Sequence, residues 1–224
     1  MTKQERADLL TQKLIEMSRY EEALYARGVT AIAGVDEVGR GPLAGPVVAA
    51  AAVLPRDFSV LGIDDSKKLS EKKREYYFDI LKEKALAYGI GMIGNERIDE
   101  INILEATKEA MIIALKGAGE MLEASSNTKI EHVLFDAVSI EKVTIPQTSI
   151  IKGDSKSVSI AAASILAKVT RDRMMITLSA DYPYYALERN KGYGTKDHYA
   201  GIAAHGICPI HRRTFLKNLE TRGT

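Results

Sequence analysis

Four carboxylates draw attention because each closes or follows a short apolar run. Asp36 and Glu37 follow Thr30–Val35, Asp136 ends Val133-Leu134-Phe135, and Asp154 comes after Ser149–Lys152. Short apolar runs of this kind read as buried strands. Acids at neighbouring strand ends can converge on one rim of a sheet, where open α/β folds bind ligands. Crowded together, unpaired anions repel and raise one another's pKa. A hard divalent cation relieves the repulsion. Mg²⁺ prefers oxygen donors and keeps several waters, so a few carboxylates and a substrate phosphate complete its shell. Two such ions about 3.5–4 Å apart activate a water and stabilise the leaving oxygen in phosphodiester hydrolysis.

Each acid also has a structural reading. Adjacent residues on a regular strand point to opposite faces, which separates Asp36 from Glu37 unless the strand bends there. Asp154, just before Ser155-Lys156-Ser157, is equally a candidate N-cap for the next helix. Asp136 has the weakest structural account, since it terminates an apolar run. Asp64-Asp65-Ser66 competes for the same chemistry, but Ser66 and Ser70 lie just before a helix, where capping side chains are expected. Lys67 and Lys68 beside them are within reach of a phosphate.

The elements that must position these acids alternate between strand and helix patterns. Residues 4–26 carry Leu9, Leu10, Leu14, Ile15 and Met17 at helical spacing, which predicts a peripheral helix. Strands are expected over Thr30–Val35, Pro46–Leu54, Gly89–Gly94, Val133–Asp136 and Ser149–Lys152. Helices are expected from Ser70 to about Tyr88, over 97–122 and over Val158–Leu178, with shorter ones near 196–204 and 213–220. In the 97–122 helix, Ile101, Leu104, Ala110, Met111, Ala114 and Leu115 form the inward stripe. This order predicts a mixed α/β sheet with flanking helices. No Gly, Ser or Pro linker divides the chain. It reads as one domain over 31–224, with an N-terminal helical extension over 1–30 and a C-terminal helical appendix over about 181–224.

The 224 residues are 46% hydrophobic and 27% charged, ordinary for a globular chain. Net charge is +1, but residues 1–140 hold 18 basic and 23 acidic side chains, against 13 and 7 in residues 141–224. An acidic front and a basic back suit a polyanion held against carboxylates. A single cysteine, Cys208, excludes an internal disulfide and a thiolate-rich zinc site. His198, His205 and His211 lack metal-ligand spacing and read, with His132, as structural or surface residues. The longest apolar run, Val47–Leu54, is too short to span a membrane. The N-terminus is charged with no apolar core behind it, so a cytoplasmic location is the default expectation.

The blocks Gly34-Val35-Asp36-Glu37-Val38-Gly39-Arg40-Gly41-Pro42-Leu43-Ala44-Gly45-Pro46, Asp65-Ser66-Lys67-Lys68-Leu69-Ser70 and Lys152-Gly153-Asp154 resemble those of the ribonuclease HII family, the type 2 ribonucleases H. The resemblance continues through Ala161-Ala162-Ala163-Ser164-Ile165-Leu166-Ala167-Lys168-Val169 and Asn190-Lys191-Gly192-Tyr193-Gly194-Thr195 to Pro209-Ile210-His211-Arg212. Together, and in this order, the blocks are specific; they cover roughly residues 31–217.

The resemblance implies a ribonuclease H-like fold, a mixed five-stranded sheet with flanking helices and a C-terminal helical part. It implies hydrolysis of the RNA strand in RNA–DNA hybrids and incision of duplex DNA 5′ to single embedded ribonucleotides, leaving 3′-hydroxyl and 5′-phosphate ends. Carried over by position, Asp36, Glu37, Asp136 and Asp154 are the metal-binding and catalytic acids, for Mg²⁺ or Mn²⁺ in a two-ion mechanism. The turn Gly39-Arg40-Gly41 would meet ribose 2′-hydroxyls, the groups that distinguish RNA from DNA. Tyr193 resembles the family tyrosine that packs on the deoxyribose at the RNA–DNA junction. Lys67, Lys152, Lys156, Lys168 and Arg171 are the candidate phosphate contacts.

The expected partners are hybrid duplex and DNA containing ribonucleotides, with no membrane, no obligate protein partner and a monomeric chain. Arg213–Thr224 shows no persuasive clamp-binding peptide. Three alternatives are weaker. A ribonuclease HIII is disfavoured by Gly-Arg-Gly, by Tyr193 and by the lack of room for a large N-terminal domain. A non-catalytic hybrid-binding module is disfavoured by the four acids. An aspartyl-phosphate phosphotransferase would want a nucleophile and a general acid in one loop, which Asp136-Ala-Val does not supply. One departure from the family pattern is that Asp136 is followed by Ala-Val-Ser-Ile, with no glycine or proline to mark a tight turn.

Overall fold

A run of small apolar residues sets the middle of this fold. The computed structural model describes residues 2–220. In chain order the elements are α1 (Lys3–Met17), α2 (Arg19–Tyr25), β1 (Ile32–Val38), β2 (Val47–Val53), α3 (Glu71–Lys84), β3 (Ala87–Ile93) and α4 (Asn95–Ser126). They continue with β4 (His132–Asp136), β5 (Gln147–Ile150), α5 (Val158–Asp181), α6 (Leu187–Asn190), α7 (Lys196–His205) and α8 (Arg213–Glu220). The expected five-stranded sheet with flanking helices is present, in the order β3-β2-β1-β4-β5. β2 runs antiparallel to β1 and β3, whereas β1, β4 and β5 run parallel.

Every residue of β2, Val-Val-Ala-Ala-Ala-Ala-Val, is buried, as expected of a strand covered on both faces. One face of the sheet packs on α4 through Ala106, Ala110, Ala114 and Ala118, an i, i+4 stripe with no exposed surface. The other face packs on α3 and α5, where Ala161, Ala162, Ala163 and Ala167 meet Ala50 and Ala52. Gly34 of β1 lies so close to α5 that an added Cβ would sit 2.1 Å from the Ser159 carbonyl carbon. Gly91 of β3 is pressed equally hard on α4, with 1.9 Å to the Ala110 oxygen.

The structure departs from expectation where one side chain redirects the backbone. The helix expected over 4–26 breaks at Ser18, which serves as C-cap of α1 and N-cap of α2. Met17 and Leu24 carry this extension into the core, at 3% and 6% exposure. The third helix stops at Lys84, and Tyr88 already belongs to β3. Within α4, Asn102 takes φ 70°, and its side-chain oxygen accepts from the N–H groups of Leu104 and Glu105. That cap restarts the helix in a new phase, so Leu104, expected on the inward stripe, is 44% exposed. Of the C-terminal appendix and the Arg213–Thr224 peptide, residues 221–224 lie outside the described residues, as does Met1.

Candidate active site

Parallel pairing of β1, β4 and β5 brings their C-terminal ends to one rim. β1 and β4 are in register from Ile32↔His132 to Val35↔Phe135, so Asp36 and Asp136 come next on adjacent strands. Both alternate with residues that pack toward α5, Gly34 in β1 and Leu134 in β4. Asp154 sits in a 3₁₀ turn, Gly153–Ser155, between β5 and α5. It is not the helix cap: Ser157 fills that role, accepting from the Ile160 N–H. The β1 ladder stays regular through Val38, so no bend turns Glu37 onto the face of Asp36. Glu37 instead joins the cluster from the strand exit, where the charges of Asp136 and Lys67 act on it.

The turn after Asp136 needs no glycine. Ala137 itself takes φ 49°, and its N–H bonds the Ile150 carbonyl. Lys152 takes φ 58°, which aims the next N–H, that of Gly153, at Asp136 Oδ1 over 2.7 Å. Two non-glycine residues in the left-handed region thus flank the acids, a strain that surrounding structure must hold in place.

The competing acids find other work. Asp65 caps the 3₁₀ turn Ser66–Lys68, accepting from Lys67 N–H, and Ser70 caps α3. Ser66 does not cap; its hydroxyl lies 2.9 Å from that of Ser164 on α5.

Closely spaced negative charge dominates the electrostatics of the rim. Burial and the neighbouring Glu37 charge push the Asp36 carboxyl well above its ordinary range, against the Ser164 hydroxyl. Burial also raises Glu37, with the Arg40 charge opposing it, and raises Asp136 against the Gly153 N–H. Lys67 is drawn in as a counter-ion, 3.3 Å from Asp154 Oδ2. Burial disfavours its charge, but Asp154, Asp36 and Asp65 outweigh that and raise its pKa. Among the described residues no three His, Cys, Asp or Glu side chains are gathered tightly enough to hold an ion as they stand. The donor set nevertheless fits a hard divalent ion: oxygen ligands only, four acids at one rim, three of them with raised pKa values.

Beside the acids lies a turn built for close approach. Gly39 has φ +90°, open to glycine at no steric cost, while Arg40 and Gly41 are exposed. Tyr193, 42% exposed, places its ring against this turn, 3.7 Å from where a Gly41 Cβ would be. The family model for ribonuclease HII matches residues 33–218, which contain all of these features.

The chain belongs to the ribonuclease HII family.

A Ribonuclease HII of Bacillus cereus (strain Q1) is 55% identical over 204 residues, covering 91% of this chain and 76% of that protein. The ribonuclease H2 of Pyrococcus horikoshii OT3 superposes with a TM-score of 0.66 at 29% identity, over 86% of this chain and 98% of that one. The RNase HII of Archaeoglobus fulgidus, solved in complex with PCNA, gives 0.62 at 25% identity over 81% and 93%. The chain is thereby a metal-dependent endoribonuclease of the class that acts on the RNA strand of RNA–DNA hybrids. Among the described residues no helix is long and apolar enough to cross a membrane.

For a ribonuclease HII, the basic residues named from sequence divide into two groups. Lys67, Lys152 and Lys156 are exposed near Asp154, where they can meet phosphates. Lys168 is paired with Asp172 at 2.8 Å and is largely covered. Arg171 corrects its expectation: it is completely buried, and its guanidinium donates to the carbonyls of Pro46, Lys191 and Ala44. It holds the turn and the Tyr193 loop together and does not reach a phosphate. Sequence reasoning gave no role to Arg212, which does the same from the other side, donating to the carbonyls of Gly39, Arg40 and Gly45. His198 and His211, read as structural or surface residues, are both buried and hydrogen-bonded to each other. Their separation in sequence carries no signal of that contact.

Proposed function

We propose that the chain both degrades the RNA strand of hybrids and incises duplex DNA 5′ to single ribonucleotides, leaving 3′-hydroxyl and 5′-phosphate ends. The observation that carries the second activity is the Tyr193 ring set against the exposed Arg40-Gly41 turn, beside the acid rim. The turn brings backbone to the minor groove, where a 2′-hydroxyl identifies the ribonucleotide. Tyr193 offers an apolar face to the neighbouring deoxyribose, so a junction is favoured over continuous RNA. Lys67, Lys152 and Lys156 position the duplex through its phosphates without reading sequence.

Asp36, Glu37, Asp136 and Asp154 are the residues that would hold two Mg²⁺ or Mn²⁺ ions. Such ions supply an activated water and charge stabilisation for the leaving oxygen. Gly153 N–H keeps Asp136 oriented, and the Ser164 hydroxyl favours the charged form of Asp36. The working unit is a monomer whose partner is nucleic acid.

The test is a DNA duplex carrying one ribonucleotide, with and without Mg²⁺, with the cut position mapped. A metal-dependent cut on the 5′ side is expected. Asp136→Asn should lower cleavage by more than about 100-fold, beyond what loss of an outer-sphere partner costs, while duplex binding stays largely intact. Full activity in that variant would remove Asp136 from the site.

A further inference from the structure

Tyr193 stands between Gly192, at φ +86°, and Gly194, and within its own loop the Tyr193 N–H bonds the Asn190 carbonyl while the Gly192 N–H bonds Asn190 Oδ1. An exposed ring is useful for recognition only if the backbone beneath it is fixed. Behind it, His198 of α7 lies with its Nδ1 2.9 Å from the Tyr193 carbonyl oxygen. A carbonyl only accepts, so His198 Nδ1 carries the proton and Nε2 presents a lone pair. His198 Nε2 faces His211 Nε2 at 3.1 Å. His211 must therefore donate from Nε2 and accept at Nδ1, where the Cys208 N–H arrives at 2.9 Å. All four ring nitrogens are satisfied by one arrangement, running from Cys208 through both rings to Tyr193.

We propose that His198 and His211 are positioning residues whose buried relay fixes the Tyr193 peptide, and thereby sets the preference for single ribonucleotides over continuous hybrid. The inference rests on the reading of Tyr193 as the residue that meets the junction. Both rings are held neutral by burial, at 0% and 2% exposure, and Tyr185 packs edge-on against them at 6.0 and 4.8 Å. The same segment is tied to the turn: Leu43 N–H bonds the Gly192 carbonyl, and Arg212 N–H bonds the Leu43 carbonyl. The relay thus references the tyrosine to the turn that would meet the 2′-hydroxyl. The Thr195 N–H also bonds the Tyr193 carbonyl, at 2.8 Å, from the N-cap of α7. His198 adds a side-chain bond to the same carbonyl and ties it to the buried His211.

The test compares kcat/KM for a single embedded ribonucleotide with that for a continuous hybrid, in His198→Leu, His198→Asn and Tyr193→Ala. Asparagine can place an amide donor where Nδ1 stands; leucine cannot. His198→Leu should lower the ratio by about tenfold, the worth of one buried hydrogen bond, toward that of Tyr193→Ala, and His198→Asn, which replaces the bond to the Tyr193 carbonyl but not the link to His211, should restore it in part. A parallel fall on both substrates, or equal ratios for leucine and asparagine, would overturn the relay. If Tyr193→Ala itself leaves the ratio unchanged, the reading of Tyr193 fails instead. Should His198→Leu not fold by thermal melting, His211→Asn carries the same test. It keeps an acceptor for Cys208 N–H but breaks the link between the rings, so a lowered ratio supports the relay and an unchanged one overturns it.

Discussion

Replacing Gly34 by alanine should separate the two halves of the active site. The new Cβ would lie 2.1 Å from the Ser159 carbonyl carbon and 2.3 Å from the Ile160 nitrogen, both backbone atoms of α5. Ordinary contact begins near 3.4 Å, so β1 and α5 must part by roughly 1 Å, since no flexible side chain is there to give way. Overpacking of this kind costs about 1–3 kcal/mol or more. β1 carries Asp36 and Glu37, whereas α5 carries Ser164 and follows directly on Asp154. A misplacement of about 1 Å between reacting groups lowers rate by about 100-fold. Gly91→Ala is the matched control: it is as tightly packed, at 1.9 Å from the Ala110 oxygen, but it wedges β3 from α4. Both variants should melt at lower urea concentration. Measured well below either midpoint, where both are folded, Gly34→Ala should lose roughly 100-fold in kcat and Gly91→Ala only a few-fold. Equal losses per folded molecule would refute the claim that the β1–α5 contact sets the geometry of the acids. Wild-type stability in Gly34→Ala would refute the contact itself.

Three further outcomes follow from the same structure. Duplex binding should weaken with salt through counterion release; Lys156→Ala should reduce the slope of log K against log salt by about 0.9. Arg171→Lys should leave that slope unchanged while lowering the melting temperature, because its guanidinium serves three carbonyls and no phosphate; a reduced slope would return Arg171 to the duplex interface. Burial holds His211 down to about 4 from an ordinary 6.5. The unfolded chain therefore binds a proton that the folded chain refuses, and stability present above pH 6.5 is lost as pH falls toward 4. The loss amounts to about 3 kcal/mol at the foot of the window. The carboxylates with raised pKa values act in the opposite sense, but they do so in both proteins. The difference in urea stability between wild type and His211→Asn should thus narrow on acidification, and a constant difference would contradict the buried neutral ring.

How much of the site could be read before the fold was seen depended on where each residue's partners came from. The convergence of Asp36 and Asp136 on one rim was legible because each follows a short apolar run that reads as a strand. Ala137 hid its turn, since the left-handed conformation is held there by tertiary hydrogen bonds and not by residue type. Arg171 reads as a phosphate ligand in any list of basic residues. Only the packing of residues 44–46 and 191 around it shows that carbonyls have taken its donors. Arg212 and the histidine pair were illegible for the same reason. Leu104 was misplaced because a single Asn102 cap shifts the helical phase, something that apolar spacing does not register.

The alanine lining of the sheet has a mechanical consequence. Alanine loses no rotamer freedom when buried, so the wall of β2 against α4 and α5 is assembled at low side-chain entropy cost. β2 itself contributes only alanine and valine, so the strand offers no long side chain able to bend and absorb a displacement. The rim that carries the acids is therefore mounted on a stiff plate of backbone against backbone. Its precision is expected to persist on warming until the plate itself comes apart, with little gradual loosening before that point.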